Sequence, residues 1–101
     1  MTSSEDGPAA TSAFQPDLGY EKHPQVALRH EGFGGLAYHY GNRRLVFLKS
    51  QALLDVVEAL AEFPTAADAL AARAPGDERA ACAAALPALL ASGIIRAREA
   101  S

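Results

Sequence analysis

Four groups of residues in this chain have side chains or backbone patterns that could do chemistry. Cys82 is the single cysteine and would be the only thiol nucleophile. His23, His30 and His39 are the three imidazoles, the minimum for a histidine-only metal centre. Gly32, Gly34 and Gly35 cluster around Phe33, as glycines do in a phosphate cradle. Arg43, Arg44 and Lys49 bracket the apolar run Leu45-Val46-Phe47-Leu48 and would attract an anion or an acidic peptide.

The first three groups weaken on inspection. A reactive thiolate needs nearby cations or a helix start. Cys82 sits within Ala80-Ala81-Cys82-Ala83-Ala84, with only Arg79 close in sequence, and reads as a small buried hydrophobe. One cysteine also excludes an internal disulfide and a multi-cysteine zinc site. The histidines show no ligand spacing and are expected to face solvent from strands and a loop. The glycines lack the G-x-G-x-x-G order, no P-loop lysine accompanies them and no helix follows, so they mark a hairpin loop. The basic residues keep two readings. They either guard an edge strand against aggregation or draw in an acidic peptide.

The chain that must position these residues is 101 residues long, half of it hydrophobic, with a net charge of -3. That fits one domain with a small core. There is no basic excess of the kind that neutralises phosphates, so nucleic acid is not an expected partner. No apolar run approaches the roughly 20 residues that span a bilayer, and no membrane partner is expected. Met1 to Ala13 lacks the basic start and apolar block of a secretory signal, and the expected compartment is the reducing cytoplasm. Residues 1–13 are small, polar and broken by Gly and Pro, which predicts a disordered tail. Residues 14–98 are the predicted domain.

Phe14, Pro16, Leu18 and Tyr20 suggest an extended lead-in across that domain. Three strands follow: Val26 to His30, Leu36 to Tyr40, and Arg44 to Lys49. Gly41-Asn42 tolerates the positive φ of a tight hairpin turn. The third predicted strand is apolar on both faces, which calls for cover on both or leaves one face for a partner. Ser50 is a good N-cap. After it, Leu53, Leu54, Val57, Leu60 and Ala61 form one helical stripe that ends at Phe63-Pro64. Thr65 and Asp68 resemble a capping box for a short helix reaching Arg73. Pro75-Gly76 breaks the chain, and Asp77 can cap a third helix with Cys82, Leu86, Leu89 and Leu90 on its apolar face. Pro87 would cost about 3 kcal/mol inside that helix and predicts a kink or break. Gly93 suits the C-terminal cap, and Ile94-Ile95-Arg96 a short strand or packing tail. The order is α+β: a three-stranded antiparallel sheet followed by three helices, a winged helix-turn-helix arrangement with its hairpin first.

The run Phe33-Gly34-Gly35-Leu36-Ala37-Tyr38-His39-Tyr40-Gly41-Asn42-Arg43-Arg44-Leu45-Val46-Phe47-Leu48-Lys49-Ser50 resembles the peptide chaperones of mycofactocin systems. Leu53-Leu54-Asp55-Val56-Val57 and Leu89-Leu90-Ala91-Ser92-Gly93-Ile94 match them in character. These chaperones are PqqD-like proteins, similar to the recognition elements that bind leader peptides of ribosomally made precursors. The resemblance spans roughly residues 14 to 96. It implies a PqqD-like peptide-binding domain over residues 14–98, a precursor leader peptide as guest and a radical S-adenosylmethionine maturase as second partner. It also implies no catalysis and no cofactor of the chain's own, since iron-sulfur clusters and S-adenosylmethionine belong to the maturase.

A sheet edge can take an extended peptide as an added strand, with specificity supplied by pockets at alternate positions. The expected peptide-binding residues are Arg43, Arg44, Leu45, Val46, Phe47, Leu48 and Lys49 on the strand. Cys82, Leu86, Leu89 and Leu90 are expected from the last helix, with some of these serving the core. Val46→Pro would test the edge if that amide faces outward. The alternative is a winged-helix transcription regulator. It needs polar or basic tips on the recognition helix, whereas Asp77-Glu78-Arg79-Ala80-Ala81 opens acidic and continues in alanine. A thiol enzyme built on Cys82 is the third reading.

Overall fold

The computed structural model describes residues 14–98; the tail expected over residues 1–13 lies outside the described residues. The strands are β1 (Tyr20–Lys22), β2 (Val26–Glu31), β3 (Gly34–His39), β4 (Leu45–Leu48) and β5 (Ile95–Ala97). The helices are α1 (Gln51–Ala59), extended by a 3-10 turn over Leu60–Glu62, then α2 (Ala66–Arg73) and α3 (Arg79–Ala91). The fold is the PqqD-like winged helix-turn-helix, α+β, with a three-stranded antiparallel sheet in the order β2-β3-β4 and three helices after it.

Local chemistry sets most boundaries. The Ser50 hydroxyl accepts the Leu53 amide at 3.0 Å and starts α1. Phe63 is extended before Pro64, as proline requires of the residue preceding it. Thr65 Oγ1 accepts the Asp68 amide at 3.1 Å at the start of α2. The lead-in lies across that helix start. The amides of Ala66 and Ala67 donate to the carbonyls of Leu18 and Pro16, which satisfies two donors a helix leaves free. At the end of α3, Gly93 takes φ 84°, and the amides of Gly93 and Ile94 return to the carbonyls of Leu90 and Leu89. This is a Schellman closure.

Four expectations change. The lead-in ends in a strand, β1, which pairs antiparallel with β5 in a second, two-stranded sheet. The turn between β3 and β4 is wider than two residues, and its positive φ, 66°, falls on Arg43 rather than on Gly41-Asn42. Glu78, not Asp77, occupies the cap position of α3 and makes no side-chain cap. Arg79 instead turns back onto the carbonyls of Leu70, Ala71 and Ala74. Helix α3 runs continuously through Pro87, whose ring lies on the exposed side.

One core joins the layers. Leu48, Leu54, Val56, Val57, Leu60, Leu86, Ile94 and Ile95 are fully buried. Helix α1 packs across the inner face of the β2-β3-β4 sheet and between β4 and α3, so it forms the base on which both of those elements rest.

Candidate functional site

Among the described residues strand β4 is an edge, hydrogen-bonded on one side only. Its pairing register is Tyr38↔Leu45, Ala37↔Val46, Leu36↔Phe47 and Gly35↔Leu48. The His39 amide donates to the Arg44 carbonyl at 2.9 Å, which fixes the parity of the ladder. Antiparallel ladders alternate bonded and non-bonded pairs. Arg44, Val46 and Leu48 therefore turn their backbone groups toward β3, while Leu45 and Phe47 turn theirs to the open edge. The Val46 amide faces inward, so Val46→Pro would break the fold's own ladder and does not test the edge.

That edge opens on a groove of about 470 Å³. Val46, Phe47, Lys49 and Ser50 form one side, and Leu53 of α1 contributes to the floor. The other side is α3 and the turn before it: Asp77, Glu78, Ala81, Cys82, Ala85, Ala88 and Leu89. Helix α3 runs antiparallel to β4. Ser50, after β4, shares the groove lining with Cys82 near the start of α3. Asn42, before β4, donates from Nδ2 to the Ser92 carbonyl at 3.1 Å at the end of α3. The same Asn42 accepts the Arg44 amide at Oδ1, 2.9 Å away, so one side chain ties the hairpin loop to the far end of the groove.

The expected site residues divide. Val46, Phe47, Lys49, Cys82 and Leu89 line the groove together. Leu45 is 57% exposed at the edge but points to the opposite face of the sheet. Arg43 and Arg44 are exposed in the hairpin loop, outside the groove lining. Leu48 and Leu86 have no accessible surface and serve the core alone. Leu90 is half-buried against that core and does not line the groove.

Ala81, Ala85 and Ala88 were missed. Their i, i+4, i+7 spacing beside Cys82 and Leu89 puts a run of small side chains along the wall. That spacing is legible in sequence, but an alanine-rich helix offers several such stripes.

Burial pushes the Cys82 thiol up, Glu78 adds to the shift, and the Ser50 side chain opposes it. A thiol held protonated on an apolar floor is a packing group and a poor nucleophile. The histidines do not form a ligand set. His30 is exposed and contacts Glu58 at 3.0 Å. His39, expected at the surface, is only 5% exposed. Its Nδ1 accepts the amides of Gly41 and Asn42 at 3.0 and 3.1 Å. The His23 ring packs against it, tilted by 44° with ring centroids 4.4 Å apart. Among the described residues no cluster of His, Cys, Asp and Glu could hold a metal ion.

Fold and groove together define a small PqqD-like module with an edge strand, unpaired among the described residues, beside an apolar cleft. A family model described as the peptide chaperone MftB family matches residues 19–96, and the chain belongs to that family. Proteins named peptide chaperone MftB are similar to it. The one from Mycobacterium tuberculosis is 54% identical over 56 residues, 55% of this chain and 51% of the relative. The one from Mycolicibacterium smegmatis is 46% identical over 66 residues, 65% of each chain. The one from Mycobacterium ulcerans is 52% identical over 56 residues, 55% of this chain and 51% of the relative. The chain thus spans about half the length of two of these curated relatives and 65% of the third. No solved structure matches it significantly.

Proposed function

We propose that this protein is a non-catalytic peptide chaperone of mycofactocin biosynthesis. It binds the leader of a short ribosomal precursor and presents that peptide to a radical S-adenosylmethionine maturase acting on a C-terminal Val-Tyr. The observation that carries this reading is the edge of β4, unpaired among the described residues, opening onto the apolar groove beside α3. An added peptide strand would bond to the outward backbone groups of Leu45 and Phe47. Its alternate side chains would enter the groove over Val46, Leu53, Cys82 and Leu89, where apolar burial supplies both affinity and selection. Arg43, Arg44 and Lys49 make no ion pair among the described residues, and favour an acidic leader. Whatever iron-sulfur and S-adenosylmethionine chemistry follows is the maturase's. The DNA-binding reading gains no support, since Arg79 is committed to the carbonyls at the end of α2 and the turn after it.

Titration calorimetry with the precursor peptide, comparing Leu45→Pro with Leu45→Ala, tests the edge. Both variants lose the leucine side chain, and only proline also loses the outward amide. Proline is tolerated where an edge N–H faces solvent. One net hydrogen bond is worth about 1 kcal/mol, so Leu45→Pro should bind about fivefold more weakly than Leu45→Ala. Equal affinities in folded variants would show that the peptide does not pair with β4.

A further inference from the structure

A sheet with one solvated face normally alternates apolar residues inward with polar residues outward. This sheet does not. On the face turned away from α1, Leu36 and Tyr38 of β3 stand opposite Phe47 and Leu45 of β4. Phe33 packs edge-on to Phe47 with centroids 5.9 Å apart, and Tyr38 packs edge-on to Tyr40 at 5.1 Å. The result is one stripe of six large side chains running from the β2-β3 turn to the β3-β4 loop. Phe33, Tyr40, Leu45 and Phe47 are 53%, 60%, 57% and 58% exposed. Such a stripe is a surface that a partner covers.

Its charges say what kind of partner. Arg29 on this face is neutralised by Glu31 at 3.0 Å. Lys49 beside Phe47, and Arg43 in the loop beyond Leu45, are exposed and without an ion pair among the described residues. The unbalanced charge at both ends of the stripe is therefore positive. A second copy laid face to face would bring like-charged ends together. The groove lies on the other side of β4, with Phe47 and Lys49 at the rim shared between groove and stripe. A protein docked on the stripe would sit beside a peptide held in the groove without displacing it.

We propose that the outer face of the β2-β3-β4 sheet docks the enzyme that modifies the peptide, through an apolar patch on that enzyme edged by carboxylates. The identity of the partner rests on the function proposed above; the surface itself rests on exposure and charge.

The test uses Phe33→Gln/Tyr40→Gln, two exposed positions outside the groove changed without altering charge, with the single exposed-turn variant Phe33→Ser as the milder change should the double variant fail to fold. Calorimetry is run separately against the precursor peptide and the purified radical S-adenosylmethionine enzyme. Peptide affinity should stay within about twofold. Affinity for the enzyme should fall at least about tenfold in the double variant and measurably in Phe33→Ser, as for buried aromatic anchors. Unchanged enzyme affinity in folded variants overturns the docking face. So does a wild-type protein that does not bind the enzyme. Binding to phosphatidylglycerol vesicles, or dimerisation in sedimentation, that the variants abolish while enzyme binding persists would assign the face to lipid or to a second copy instead, and overturn it too. A wild type that binds the enzyme but not the peptide would count against the proposed function alone.

Discussion

His39 and Asn42 lie where the β3-β4 loop meets the end of α3, beyond the residues that line the groove. His39 accepts two loop amides and Asn42 reaches Ser92, so a short polar network holds β4 at its distance from the helix. His23, packed against His39, adds a pH dependence to this corner. Burial, then the fields of His39, Arg96 and Lys22, lower its pKa from the ordinary 6.5, against a smaller pull from Glu21. A lowered folded value means the native state prefers the neutral ring. The associated stability is fully present above 6.5 and is lost as pH falls through the folded value. Urea midpoints should therefore decline as pH drops below that point. His23→Asn, which keeps an acceptor for the Gln25 amide but does not titrate, should flatten the decline. An identical slope in the variant would show that His23 is not the group responsible. None of this was legible beforehand. A histidine on a strand reads as solvent-facing until the neighbouring loop, His23 and the turn after α3 close over it.

The caps were legible because they act within a few residues. Ser50, Thr65 and Gly93 each do what their type and position suggest. Strand β1 was not, since three residues carry no usable period and the partner strand lies far along the chain. The Glu21–Arg96 contact at 2.7 Å bridges 75 positions. Pro87 shows tertiary packing overriding propensity. Leu86 and Leu89 are buried on either side of it, and their burial keeps α3 continuous although Pro87 offers no amide to the Ala83 carbonyl. Pro87→Ala should restore that bond. The helix gain of about 3 kcal/mol, less up to about 1 kcal/mol of unfolded-state entropy, predicts stabilisation of about 2 kcal/mol. Chemical denaturation measures it, and a variant no more stable than wild type would mean α3 has already relaxed around the proline.

Charge in the whole molecule is unevenly spread. The net charge is -3, yet Arg43, Arg44 and Lys49, without an ion pair among the described residues, leave a positive region around the β4 edge, while Asp77 and Glu78 lie across the groove from Lys49. A basic edge on an acidic protein steers an acidic peptide to one place. Raising salt from about 50 to about 500 mM shortens the screening length and should slow peptide association several-fold with little change in dissociation. Stopped-flow fluorescence separates the two rates. A salt effect confined to dissociation would mean the basic residues contact the bound peptide without guiding its approach.

By itself the sequence determined the three-strand, three-helix order of the central elements, the helix stops, and a resemblance specific enough to suggest a peptide guest. These rest on residue type and short spacing, which act locally. Only the tertiary structure decided which side of each element is spent on the core. Leu48 and Leu86 are consumed by it entirely, whereas Val46 keeps surface on the groove, and Cys82 and Leu89, themselves buried in the core, close its apolar wall. It also decided that Leu45 and Phe47 present the outward backbone groups. Both outcomes depend on how α1 spaces β4 from α3 and on where the ladder parity falls. These are set by contacts between distant residues, and periodicity along one strand or helix does not contain them.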